Sequence, residues 1–571
     1  MKTFLLSILF VVVGTCVSQS QSFPADSDVE FKNSSKLTTE IINKLSVDEL
    51  KNLGLIWGYL KYYHPYIGQG NYNWDFELFR IIPRLADAKP EIRESIIIEW
   101  INSLGEYSTT KYRKPKGKVK LEPDFSWITS SAFSNELSKK LQHLKNAKRD
   151  DSGYYIDFRP DVGNPVFSHE DGYENMQYTD AGFRLLALYR YWNIIQYFFP
   201  NRHLIDDDWK DVLDRCIPVF ISASNEVEYN FALLDIINNV HDTHANIWTQ
   251  EIFNYKGMWS SVYKIRFVED KAVVVDYYND SIGSISPLKR GDIIMSVNGK
   301  DVEHLVEERL DKYPASNYPT KLRDIGNFLL VNNSNSMLVS YLRDGQEHSA
   351  TIKTYPWQES RELFNLTFAD TCFRMLTNDI AYFTHDPYKN DYLPTIWANI
   401  SDTKGLVIDL RCYPSDVITY TVGRHLMPKP TEFVKSSKGE SKIPGRFVFT
   451  TPLKTGNLNP DYYKGKVVII VNEDTQSAAE FTAMALRVAP NAMVIGSTTA
   501  GADGNVSSIL LPGGIGTRIS GVGIYYPDGR ETQRVGIIPD IEVKPTIAGI
   551  KEGKDELLEK AVSIIENNGH R

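Results

Sequence analysis

The stretch from Gly465 to Pro490, "GKVVIIVNEDTQSAAEFTAMALRVAP", limits the fold more than any other in the chain. Its first half is an unbroken β-branched apolar run, the pattern of a strand covered on both faces. Its second half repeats apolar residues at helical spacing and stops at Pro490. Two more segments start in the same way, "GLVIDLRCYPSD" at 405–416 and "AMVIGSTTAGADG" at 492–504. Strands alternating with helices predict an α/β layer with its functional groups at the carboxyl ends of the strands. Ser477 falls at one such end, between strand and helix. A serine there either caps the helix through its hydroxyl or acts as a nucleophile, which needs a base and donors for an oxyanion. The Ala478 N–H, in the first helical turn, is one candidate donor. The turn after "DLR", around Ser415, is the second.

The 571 residues leave room for roughly three to four domains. Residues 1–20 read as an export signal: Lys2, the apolar run "FLLSILFVVV", then small residues with cleavage after Ser18 or Ser20. Cys16 opens the alternative of a lipid anchor, although Thr15 stands where Gly, Ala or Ser usually precedes such a cysteine. No other segment resembles a membrane span. A periplasmic or extracellular, and so oxidising, location is expected, yet only Cys216, Cys372 and Cys412 would remain, which is no disulfide framework. The net charge of −9, without long like-charge runs, argues against a nucleic-acid partner and for a peptide or small-molecule ligand. No cofactor is implied.

The N-terminal part repeats itself. "LGLIWGYLKYYHP" at 53–65 parallels "LYRYWNIIQYFFP" at 188–200, and Trp57/Trp192, Pro65/Pro200, Trp74/Trp209 and Pro83/Pro218 are each 135 residues apart. Both copies, about 45–110 and 180–245, read as pairs of helices with aromatic cores. They diverge at their ends, "INSLGEYST" against "INNVHDTHANI", so that Ser108 stands where the second copy has His244. Only the second copy can hold a base. The stretches between the copies, "YRKPKGKVKLEP" and "DDSGYYIDFRPDVGNP", are polar and turn-rich and read as a connecting subdomain of strands and loops. Residues 256–356 alternate apolar and polar, and "LKRGDIIMSVNGKDV" places an Asn-Gly hairpin turn at Asn298–Gly299. This segment resembles a PDZ domain, which implies an open sheet edge able to take a peptide as an added strand.

Taken in order, "DTHANI", the PDZ-like segment, "VIDLRCYPSD", "NEDTQSAAEF", "GSTTAGADG" and "GRETQRVGIIPDIEV" resemble the tricorn-like and C-terminal-processing serine peptidases over roughly residues 240–550. The resemblance implies a ClpP/crotonase-like α/β core over 357–571, an inserted PDZ-like domain over 256–356 and a helical N-terminal region over 21–255. It also implies Ser477 as nucleophile, with Glu480 as the acid of its T-x-S-x-x-E motif. The branch with a lysine base is disfavoured, because Ala502 occupies the lysine position and no lysine lies between Lys466 and Lys544. The tricorn branch uses a hydroxyl residue followed by a histidine, which matches Thr243 and His244. An ordinary imidazole pKa of about 6.5 suits His244 to serve as base near neutrality. That branch also carries an orienting glutamate before its G-x-x-P-D motif. Here Gln533 occupies the position and Glu531 is the nearest carboxylate, so both are taken as supporting residues with Thr243. Relatives read "DLRGNxGG" at the oxyanion turn, whereas this chain has Pro414 and Ser415 there.

His241 and His244, three apart, would share a helix face, but no third metal ligand stands at recognisable spacing and no metal is expected. Cys412 reads as a small buried residue rather than a nucleophile. The expectation is an exported serine endopeptidase acting on peptides or unfolded protein. Its rival is a non-catalytic peptide- or small-ligand-binding protein on the same fold.

Overall fold

The computed structural model describes residues 22–111, 114–115, 117–150, 153–364 and 366–567. The expected export signal and Cys16 lie outside these residues. Among them, no helix is long and apolar enough to cross a membrane.

The N-terminal region is built on α1 (Val47–Tyr63), α2 (Trp74–Ala86), α3 (Ala181–Phe198), α4 (Trp209–Ser222) and α5 (Glu226–Asn238). The Ser46/Glu49 capping box opens α1. Every residue of α3 is buried, because neighbours cover the whole circumference of the helix. Two indole clasps join these helices. Trp57 and Trp74 each donate Nε1–H to the other's backbone carbonyl, at 2.9 and 2.8 Å. Trp192 and Trp209 do the same at 2.6 and 3.0 Å. Four charged side chains fill the interior beside them. Lys61 reaches Glu170 at 2.7 Å and Asp75 at 3.6 Å, while Arg190 reaches Asp75 at 2.5 Å and Glu170 at 2.9 Å. Two positive and two negative groups balance, as a desolvated cluster requires.

Residues 257–356 hold an antiparallel sheet in which β1 (Tyr263–Val268), β2 (Lys271–Tyr277), β3 (Ile293–Val297), β4 (Ser336–Arg343) and β5 (Gln346–Lys353) lie side by side in that order. The Asn-Gly turn forms as expected, with φ of 49° and 79° at Asn298 and Gly299. Helix α6 (Tyr318–Asn327) packs along edge strand β1.

The C-terminal layer is a sheet in the order β6 (Phe373–Thr377), β7 (Ile380–Thr384), β8 (Gly405–Asp409), β9 (Lys466–Val471), β10 (Ala492–Gly496) and, after a further hairpin, β13 (Ile541–Glu542). From β7 onward its pairings are parallel. Alternate residues explain the unbroken apolar runs. Leu406, Ile408, Val467, Ile469 and Val494 face Ala483, Met484 and Leu486 of α7 (Ala478–Leu486). Val407, Val468, Ile470 and Ile495 face Leu557, Ala561 and Ile565 of the terminal helix α8 (Glu556–Asn567). The hairpin of β11 (Val506–Leu511) and β12 (Ile515–Ser520) leaves this layer and inserts Ile509, Leu511, Ile515 and Ile519 into the helical core. Arg190 and Tyr229 hold it there through the carbonyls of Leu510 and Pro512, at 2.8 and 2.7 Å. The insertion carries Ser520 to the segment that bears His244.

Candidate active site

Ser477 follows β9 and opens α7 with φ 56° and ψ −117°. A capping serine has extended backbone angles. A β-carbon residue at positive φ costs about 1–3 kcal/mol and persists where the surroundings hold it. Here the hold is Glu480. Its buried carboxylate accepts from the N–H groups of Ser477 (3.1 Å), Gly501 (2.8 Å) and Ala502 (3.0 Å) and from the Thr499 hydroxyl (2.5 Å). Burial raises the Glu480 carboxyl above its ordinary range against those four bonds. All four contacts are satisfied by an ionised carboxylate. The Ser477 N–H also reaches the Ala502 carbonyl at 3.0 Å. On the other side, Arg266 of β1 donates to both Asp474 oxygens at 3.1 Å, and Arg323 of α6 donates to the Glu473 carbonyl at 2.8 Å and to Gln476 Oε1 at 3.1 Å. The turn before Ser477 is therefore tied to the 257–356 sheet.

The loop 499–503 that binds Glu480 also receives the histidine segment. Thr243 Oγ1 lies 3.2 Å from the Ala500 carbonyl and 3.0 Å from Ser316 Oγ. Ser477 and His244 are thus attached to one loop, at contacts two residues apart. Among the described residues no hydrogen bond joins the Ser477 hydroxyl to His244. His244 Nδ1 lies 2.8 Å from Ser520 Oγ and 3.6 Å from Asp242 Oδ1, and its side chain is only 10% exposed. Burial lowers its pKa below the ordinary value, outweighing the opposing pull of Asp242.

The supporting residues separate. Gln533 is buried and its amide nitrogen lies 3.3 Å from Asp242 Oδ1 and 3.4 Å from Ser316 Oγ. Glu531 is engaged elsewhere, bonded to Lys120 and to His203 Nε2 at 2.9 Å. Burial pushes the Glu531 carboxyl up, but those two partners outweigh it and hold it below its usual range. Ala478 opens α7, so its N–H belongs to the first turn that a helix leaves without an internal acceptor. Ser415 differs from expectation. Its N–H donates to the His385 carbonyl at 2.9 Å and its hydroxyl to Asp386 at 2.6 Å, because the turn folds back on the end of β7. That N–H does not face an open oxyanion position.

His241 is not on a helix with His244. It lies past the end of α5 at φ 53° and pairs with Asp206 at 3.2 Å. Among the described residues no three His, Cys, Asp or Glu side chains converge as metal ligands. Cys412 is buried, its thiol pushed up to about 12 by burial. Sequence reasoning passed over Asp242, Ser316 and Ser520. Only Asp242 carried a local signal, since a carboxylate two residues before a histidine can accept its N–H, as it does here at 3.1 Å.

Residues 379–543 match Peptidase family S41. A carboxy-terminal-processing protease of Bartonella bacilliformis is 28% identical over 156 residues, which are 27% of this chain and 34% of that protein. The chain thus spans about a third of the curated relative it matches. The structure of mature CPAF superposes with a TM-score of 0.54 at 15% identity, covering 68% of this chain and 99% of the other. CPAF complexed with lactacystin gives 0.53 at 14% identity, over 67% and 98%. At such identities the likeness is one of fold. The strand-turn-helix around Ser477 and the loop that braces it lie inside the matched segment, and residues 379–543 are a peptidase family S41 domain.

Proposed function

We propose that the chain is an exported serine endopeptidase with Ser477 as nucleophile and His244 as general base. The observation that carries this reading is the strained strand-to-helix turn at Ser477 inside the S41 segment, held by the same loop that binds the His244 segment. Serine attack on a peptide carbonyl forms the Oγ–carbon bond as His244 takes the hydroxyl proton. The proton then passes to the leaving amine, and water activated by His244 hydrolyses the acyl-enzyme. Substrate binding draws the hydroxyl and imidazole together, since catalytic hydrogen bonds tighten in the complex. Ala478 N–H supplies one oxyanion donor. The substrate is a peptide or unfolded protein. Residues 21–255 form the helical frame with its two repeat copies, 256–356 a PDZ-like module, and 357–571 the peptidase core.

One observation favours the rival, a binding protein without turnover: the Ser415 N–H is already engaged with His385. A fluorophosphonate probe separates the two. Labelling of the wild type, lost in Ser477→Ala and strongly slowed in His244→Ala, supports the peptidase. No labelling of folded wild type between pH 6 and 9, with peptide binding retained, supports the binder.

A further inference from the structure

We infer that Asp242 and Ser520 position His244 through a hydroxyl relay that sets its tautomer. The inference rests on the reading of His244 as base. It follows from counting protons. Asp242 is fully buried and accepts from the Ser520 N–H at 2.6 Å, the His244 N–H at 3.1 Å, the Gln533 amide at 3.3 Å and Ser520 Oγ at 3.0 Å. An aspartate carboxylate can only accept. Ser520 has a single hydroxyl proton, and Asp242 takes it. The 2.8 Å contact between Ser520 Oγ and His244 Nδ1 is then a bond in which Nδ1–H donates and the hydroxyl accepts. The reverse arrangement would set lone pairs of Ser520 and Asp242 against each other at 3.0 Å.

The imidazole proton therefore sits on Nδ1 and the lone pair on Nε2, the form a base needs before it meets a serine hydroxyl. When Nε2 takes the proton, the imidazolium lies 3.6 Å from Asp242 Oδ1 and is stabilised both through the hydroxyl and through space. Asp242 and Ser520 are positioning residues, since neither touches the reacting atoms. The relay joins two places far apart in sequence: the segment after α5, and the strand β12 that the helical core holds against it. Gln533, which has no charge, takes the secondary role of filling Asp242.

Ser520→Ala removes the bridge and keeps the backbone N–H that Asp242 needs. The expected result is a roughly 10- to 100-fold slower chemical step in fluorophosphonate labelling, with initial probe affinity little changed. The acid limb should also move to lower pH, because the imidazolium loses its partner; a purely structural role would not move it. A Ser520→Ala enzyme that labels at the wild-type rate with the wild-type acid limb overturns the relay while leaving Ser477 and His244 in place. A second readout needs no turnover. Imidazole ¹⁵N spectra of histidine-labelled wild type, with the His244 signals assigned by their loss in His244→Ala, should show protonated Nδ1 and bare Nε2 near pH 8. Protonated Nε2 overturns the relay. If instead His244→Ala labels as fast as wild type, the base assignment itself fails, a result distinct from either.

Discussion

Replacing Glu480 with glutamine tests whether one buried carboxylate holds the Ser477 turn. Its two oxygens accept two donors each: Thr499 and Gly501 on one, Ser477 and Ala502 on the other. An amide keeps one acceptor and turns the other into a donor. With its nitrogen towards Ser477 and Ala502, two buried N–H donors lose their acceptor; turned the other way, it opposes the Gly501 N–H while the Thr499 hydroxyl can turn to accept. A hydrogen bond to a charged group contributes about 1.5–3 kcal/mol, so at least one such loss is incurred, and the bonds that remain weaken as their acceptor becomes neutral. The relief of burying a neutral rather than an ionised group offsets part of this, and a net loss of about 1.5–3 kcal/mol is expected. That is a large part of the roughly 5–15 kcal/mol that holds a domain folded. Urea denaturation followed by far-UV circular dichroism measures it, and fluorophosphonate labelling of the protein still folded should fall as the Ser477 turn relaxes. A Glu480→Gln protein within 1 kcal/mol of wild type and labelling at the wild-type rate would refute the reasoning.

Lys61→Met leaves the buried Asp75, Glu170 and Arg190 with one uncompensated negative charge and should destabilise by about 3–5 kcal/mol in the same denaturation assay. His64 and His385 are each lowered to about 4 by burial. Their unfolded forms bind protons first, so stability is complete above pH 6.5 and falls as pH drops from 6.5 towards 4, by up to about 3 kcal/mol per histidine. Unfolding free energies that stay level between pH 7 and 4.5 would contradict this. If His244 is the base as proposed, labelling at Ser477 needs its neutral form; burial lowers its pKa, so the acid limb of the rate should have its midpoint below pH 6.5.

The parallel layer was legible because its strands are covered on both faces and so read as unbroken apolar runs, as Val467 to Ile470 show. Ser477 was legible for the same reason, since the strand and the helix both point to the turn between them. The residues around it were less so. Ser520, Ser316, Arg266 and Arg323 reach the site across long sequence separations, and nothing in their local spacing sets them apart. Ser415 stood at the expected position in the chain, but the direction of an N–H depends on its acceptor, and His385 lies thirty residues earlier. Sequence position singled out Glu531 as the nearest carboxylate and gave Asp242 no role. Glu531 was near in the chain and is paired elsewhere, whereas Asp242 reaches the imidazole by way of a hydroxyl.

The paired indoles of the helical region bear on how the chain keeps its shape wherever it works. Cys216, Cys372 and Cys412 are all unpaired and buried, so no covalent cross-link joins the described elements. Each Trp–Trp clasp spans 17 residues with two reciprocal bonds, fastening one helix to the start of the next much as a staple would. Such a fastening is indifferent to thiol–disulfide exchange, and the bundle would keep its geometry in a reducing compartment as well as in a disulfide-forming one.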